Sequence, residues 1–420
     1  MDQEVEIPQS RCQNPRYRNQ CPRGLRKLAV LLAFSGAMAM QSTSSQEPPA
    51  PSVSARKPPP ADAYVGDAVC AQCHDKEAKA YPSTPHALDS TVASSKTIMG
   101  NFTPGQNVVR TPNPNLVFAM IAADDGYYES AVDIRDPKNL TGKAEKFDIV
   151  IGSGRHGQTY LYWKGDQLFE LPVSYWTWTH KWINSPGYPD GGVYFNRPIV
   201  PRCMECHASW FKSLAPPLNR FERDSMVLGI GCERCHGPGR EHVDREGSAN
   251  PPPAGSPEIA IVNPARLPHD RQLGLCSLCH AGAAEPIGTS LTYLPGDLIT
   301  DFLKIAAPPA NAPVDVHGNQ VGALESSKCF TSGKLTCSTC HDVHRTQENA
   351  DAFSKNCLGC HDVQACGRFK QMGESIRGKC IECHMPIGKS SVLMSESGGE
   401  LLRAQLRTHR IAIYPNATAK

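Results

Sequence analysis

Apolar residues cluster in a few places along this 420-residue chain, and each cluster predicts a different element. The longest, "LAVLLAFSGAMAM", runs from Leu28 to Met40. It is shorter than the roughly 20 apolar residues that cross a bilayer. Arg16, Arg18, Arg23, Arg26 and Lys27 precede it, and Ala37-Met38-Ala39 ends it with small residues around a cleavage point. That pattern predicts an export signal over residues 1–39, removed from the mature protein. The stretch before it is long for a signal, which points to a true start downstream of Met1. Residues 40–63 follow as a Pro-, Ser- and Ala-rich linker without apolar periodicity, expected to be an exposed tether.

Apolar runs of strand length appear next. "LVFAMIA" (Leu116–Ala122) and "KFDIVIG" (Lys146–Gly152) are two of them, and "QTYLYWKGDQLFELPVSYW" (Gln158–Trp176) is two β-rich runs around Lys164-Gly165-Asp166, as a hairpin would be. All five tryptophans lie between Trp163 and Trp210. Residues 101–200 therefore predict a small β-rich subdomain. "GSGRHG" at Gly152–Gly157 lacks both the strand-to-helix setting of a dinucleotide loop and a Walker lysine, and reads as a turn.

Cysteine organises the rest. C-x-x-C-H occurs seven times: Cys70-Cys73-His74, Cys203-Cys206-His207, Cys232-Cys235-His236, Cys276-Cys279-His280, Cys337-Cys340-His341, Cys357-Cys360-His361 and Cys380-Cys383-His384. A lone C-x-x-C is equally half of a zinc site. Zinc, however, does not require histidine directly after the second cysteine, and histidine is only 15 of the 420 residues. Seven out of seven points to covalent attachment of haem c, with two thiols for the vinyl groups and the adjacent imidazole for the iron.

Seven attached haems change the fold expectation. They would supply much of the apolar interior, in keeping with 7% aromatic residues and 36 prolines. The predicted class is mainly α and irregular, with short helices and loops wrapped around haems, plus the β-rich subdomain. The predicted order is a first haem site over 64–100, the subdomain over 101–200, sites two to four over 201–290, a Pro-rich connector over 291–328, sites five to seven over 329–390 and a tail over 391–420. The formal charge of +2 would become acidic once haem propionates are added. No basic face suggests nucleic acid as a partner. Fourteen of 18 cysteines belong to motifs, and Cys12 and Cys21 precede the cleavage point. Cys329 and Cys366 remain, and in an oxidising compartment they predict a disulfide.

Each motif histidine fills one axial position, and the opposite ligand decides the role of that iron. Eight histidines lie outside the motifs. His344 follows His341 by three residues, on the same side of a helical turn, so it cannot reach the far face of the haem that His341 holds. It is expected to brace a neighbouring haem. His242, His86 and His409 are further distal-ligand candidates, as is His317. His156 and His180 are open between ligand and packing residue, and His269 is expected to be a solvated loop residue.

The words "YVGDAVCAQCH", "PHA" around His86, "GCERCHGPGREHV", "LTCSTCHDVH", "CIECHMP" and the late "HRI" resemble the doubled-CXXCH multihaem cytochromes. That superfamily includes the tetrahaem partner of hydroxylamine oxidoreductase and several octahaem reductases. The resemblance implies distal ligation by His86, His242, His344 and His409, with haems in stacked and perpendicular pairs. No C-x-x-C-K occurs, unlike in the superfamily's nitrite reductases.

The resulting expectation is a periplasmic or cell-surface electron carrier with mostly bis-histidine haems, exchanging electrons with a protein donor and acceptor. It would not span the membrane after signal cleavage. The competing expectations are an oxidoreductase with one open iron beside the β subdomain, near Arg155, His156, Tyr160 or His180, and a self-associating conduit or filament subunit.

Overall fold

The β-rich stretch "QTYLYWK" forms the central strand of the molecule because its two faces are both buried, one against each of two cores. The computed structural model describes residues 56–417, apart from 137–142, 254, 258, 283, 306–318 and 334. The signal expected over 1–39 and the candidate ligand His317 lie outside the described residues. All the described residues fall within one unit, Pro51–Lys420.

Ten strands build the subdomain: β1 (Ser90–Val92), β2 (Val108–Arg110), β3 (Leu116–Ala123), β4 (Gly126–Asp133), β5 (Lys143–Lys146), β6 (Ile149–Ile151), β7 (Gly157–Lys164), β8 (Gln167–Glu170), β9 (Val173–Trp176) and β10 (Lys181–Asn184). One antiparallel sheet runs β2-β3-β4-β5. The other runs β1-β6-β7-β8 and ends on Arg197–Pro198, with β9 pairing both β7 and β10. The predicted hairpin turn falls at Gly165-Asp166, between the paired Lys164 and Gln167. Gly165 has φ +62°, which the tight two-residue turn requires.

Side chains on β7 alternate between faces. Tyr160 and Tyr162 join Phe118 and Met120 of β3, Phe147 and Trp182 in the core between the sheets. Phe147 stacks on Tyr160 at 4.4 Å between ring centroids. Leu161 and Trp163 point the other way, against Ile199, Met204 and Cys203. The second cysteine motif is thus packed directly on the back of this sheet.

Glu129 of β4 is fully buried in the first core. Its Oε2 accepts the Val173 amide at 3.2 Å, while Oε1 has no partner. Burial holds its carboxyl well above the usual carboxylate range, assisted by Glu170. The folded state therefore binds the proton more tightly than the unfolded chain does. Stability is complete below the ordinary glutamate pKa of about 4.3 and is lost as pH rises toward the folded value. Glu129→Gln should flatten that loss; hydrogen exchange of β4 and β7 amides across pH measures it, and an unchanged pH slope would contradict it.

Outside the subdomain the helices are short, and they carry the motifs: Pro201–His207, Cys232–His236, His269–His280 and Cys380–His384. The expectation of a mainly α chain is corrected, since helix and strand take similar shares, 28% and 25%. Part of the difference is the C-terminal tail, which is a long antiparallel hairpin, Ile387–Ser397 with Glu400–Arg407. At the end of the expected linker Arg56 pairs with Asp297 at 2.6 Å and sits over the Phe302 ring, while Lys57, Pro58, Pro60, Ala61 and Asp62 are exposed.

Candidate cofactor site

Each motif winds into one turn because its histidine amide reaches back to the first cysteine's carbonyl. His74, His341 and His361 each donate to that carbonyl at 2.9 Å. Positions one, four and five of the motif then share a face. Both thiols and the imidazole project to the same side, the arrangement that gripping one macrocycle requires.

All cysteines and histidines of the first five motifs, with Cys357 of the sixth, line one continuous cavity of ≈ 3320 Å³. That is several times the 300–1,000 Å³ of an ordinary ligand pocket. Cys360 and His361 are exposed, and of the seventh motif Ile381 lines the cavity while Cys380, Cys383 and His384 do not. Among the described residues no three His, Cys, Asp or Glu side chains converge as a zinc site needs.

Across this cavity imidazoles face one another in four pairs. His74 faces His242 at 6.5 Å between centroids and 24° between planes. His86 faces His280 at 6.1 Å and 76°. His236 faces His344 at 6.1 Å and 30°, and His341 faces His409 at 6.2 Å and 24°. With metal–imidazole bonds of about 2.0–2.1 Å, two rings on opposite sides of one ion have centroids roughly 6 Å apart. The donor set therefore fits axial pairs around haem iron. His344 stands opposite the third motif and not its own.

Burial favours neutral rings here. Desolvation, with His341 nearby, pushes His409 down to about 4. Desolvation also lowers His86, with His280 adding to the effect, and lowers His236. Neutral imidazole is the ligating form.

The residues between the motif cysteines fix one motif to another. Glu233, inside the third motif, accepts the amides of Val65, Gly66 and Gly239 at 2.8–2.9 Å. Asp67 returns a bond to the Cys232 amide at 2.9 Å. This clamps the first motif to the third and sets the Cys70 thiol within hydrogen-bonding reach of Cys232. Arg202, just before the second motif, donates to Leu278 O in the fourth at 2.8 Å and pairs with Glu205 at 2.8 Å. Cys206 there meets Cys279. Cys276 of the fourth motif meets Cys337 of the fifth. Cys357 of the sixth lies in the electrostatic field of Cys380 and Cys340. The first motif thus meets the third, the second meets the fourth and the fourth meets the fifth, while Arg234 of the third also donates to the Glu205 carbonyl in the second at 2.8 Å.

Other candidates separate. His269 opens the 12-residue helix of the fourth motif, its Nε2 bonded to Leu335 O at 2.9 Å and its ring against Phe330. The expectation of a solvated loop residue is corrected: its side chain binds a carbonyl. His180 is exposed at a hairpin tip with φ +50°. Tyr160 is fully buried between the sheets and does not line this cavity. Arg155 and His156 do line the cavity. Cys329 and Cys366 are free thiols, correcting the expected disulfide. Cys329 instead lies close enough to Cys340 and Cys357 to raise their pKa values.

Asp89 was not singled out by the sequence. Its Oδ2 lies 2.8 Å from His207 Nδ1, and Ser90 Oγ donates to the His207 carbonyl. The available signal was position: Asp89 follows His86 by three residues in "PHALDS".

A family model of cytochrome c554 and c-prime matches residues 195–237, around the second and third motifs. The solved structure of the outer cell wall cytochrome OcwA aligns with a TM-score of 0.52 at 16% identity, over 83% of this chain and 79% of that one. An undecahaem cytochrome from the S-layer of Carboxydothermus ferrireducens aligns at 0.39 and 15% identity, over 86% of this chain. This chain spans about half, 53%, of that protein. No curated protein matches. The likeness to the outer cell wall cytochrome is one of fold. Among the described residues no helix is long and apolar enough to cross a membrane.

Proposed function

We propose that the chain is a heptahaem c-type cytochrome that carries electrons in the periplasm or at the cell surface between a protein donor and a protein acceptor. The observation that carries this reading is the set of four imidazole pairs, at 6.1–6.5 Å, across a cavity lined by cysteine motifs. Haem, when bound, supplies a one-electron iron couple, and the chain supplies attachment, axial ligands and spacing. The fourteen motif cysteines hold the haems and the seven motif histidines are proximal ligands. His242, His86, His344 and His409 cap the first, fourth, third and fifth irons. His317 remains the proposed cap for one of the others. The outer cell wall origin of the structure similar in fold is in keeping with export.

A second reading follows from His207. Its Nδ1 is held by a carboxylate, and no described imidazole faces it, while Arg155 and His156 line the same cavity. That is the setting of an oxidoreductase with one open iron at the second motif, acting on a small nitrogen or sulfur species.

Pyridine haemochrome assay with electron paramagnetic resonance of the oxidised protein tests both. Seven haems per chain and at least four low-spin signals are expected. Fewer haems than motifs, or zinc in place of iron, would sink the cytochrome reading. A high-spin signal of one iron per chain that responds to nitrite or cyanide would select the second.

A further inference from the structure

The seven motif histidines are not held alike. His236 Nδ1 faces a backbone carbonyl, that of Val262, at 2.8 Å. His384 Nδ1 faces the carbonyl of Ala412 at 2.9 Å. His207 alone among the described motif histidines is paired with a carboxylate, Asp89, at 2.8 Å. We propose that Asp89 is a positioning residue that lowers the reduction potential of the haem held by the second motif. The inference rests on the haem reading above.

The physical argument is that of a carboxylate behind a metal-bound imidazole. A hydrogen bond from Nδ1–H to an anion fixes the ring's tautomer and orientation and makes Nε2 a stronger donor. A stronger donor favours the ferric over the ferrous ion. A neutral carbonyl does the same more weakly, because charge-assisted hydrogen bonds are roughly twice as strong as neutral ones.

Asp89 is itself held in place. Its amide donates to the His86 carbonyl at 3.2 Å and its carbonyl accepts the Gly152 amide at 2.6 Å. The next residue, Ser90, accepts the Gly229 amide at 2.8 Å as well as binding the His207 carbonyl. The segment from His86 to Ser90 thus carries the imidazole facing His280 and, one turn later, the carboxylate behind His207. It ties the second and fourth attachment sites together, where Cys206 and Cys279 also meet.

The second motif meets the fourth at Cys206 and Cys279. With its ferric state favoured by Asp89, a haem held there would be a stronger donor to a neighbouring haem than it would be with a neutral group behind His207.

Spectroelectrochemical titration of the intact protein tests this, comparing wild type with Asp89→Asn and Asp89→Ala. Outer-shell substitutions typically cost about 10–100-fold in metal affinity or activity, and the lower end of that scale sets the expected effect. At the wild-type midpoint of that haem, Asp89→Asn should therefore raise its ferrous-to-ferric ratio about ten-fold, a positive shift of about 59 mV for one electron. Six of the seven midpoints should stay in place, and Asp89→Glu should recover part of the shift. If no midpoint moves while seven haems remain attached, the role of Asp89 is overturned. All midpoints moving together would overturn it too, since that reports general loosening. Loss of the haem count in wild type would instead overturn the cytochrome reading.

Discussion

Replacing His409 with alanine should turn one ferric iron in seven from low to high spin. His409 is half-buried, its ring lies 6.2 Å from that of His341 with the planes 24° apart, and desolvation favours its neutral form. Alanine leaves the iron of the fifth motif with His341 alone and space for an exogenous ligand. Electron paramagnetic resonance should show the new high-spin signal, and cyanide should return that iron to low spin. His269→Ala is the control, because its Nε2 is already bonded to the Leu335 carbonyl. An unchanged spectrum for the His409 variant would show that the facing pair does not share an iron.

The second large effect is on stability and falls on Glu233. Its carboxylate accepts three backbone amides from two separate segments, and the side chain is almost wholly enclosed. Each hydrogen bond to a charged group contributes about 1.5–3 kcal/mol, and three sharing one carboxylate are not additive, so Glu233→Ala should cost about 4 kcal/mol. The loss should be local first. Exchange of the Val65 and Gly66 amides should accelerate by about three orders of magnitude, with Glu233→Gln between the two. Glu241→Ala, on the exposed side of the next helix, should leave these amides unchanged. Equal exchange in wild type and Glu233→Ala would mean that the clamp between the first and third motifs is held by something else.

Local chemistry made much of the site legible in advance. The cysteine spacing marks the proposed attachment points, and the three-residue step from His341 to His344 predicts that the latter faces another motif. The structure sets His344 before His236. The hairpin at Gly165-Asp166 follows from two β-rich runs broken by a turn pair. What sequence could not convey is which motif lies against which. That depends on charged residues such as Arg202, Glu205 and Glu233, which look like solvent-exposed positions within or beside a motif and turn inward only when another segment offers amides or carbonyls. The spare cysteines misled for a similar reason, because compartment chemistry says nothing about distance. The hairpin of the tail has a local signal of its own: Gly398-Gly399, both with positive φ, join its two strands as a tight turn.

The C-terminal hairpin also bears on biogenesis. It returns the chain so that Thr408–Ala412 crosses the last attachment sites: Ala412 holds His384 at Nδ1, and Ile411 bonds Ser327 through its amide at 2.8 Å. These residues follow all seven cysteine motifs in the sequence, so they are made after them. A nascent chain can thus acquire its motifs one by one while the pocket before His341 stays open on one side. Closure waits for the tail, so a product shortened before Thr408 would carry every attachment point and still lack the ring that faces His341.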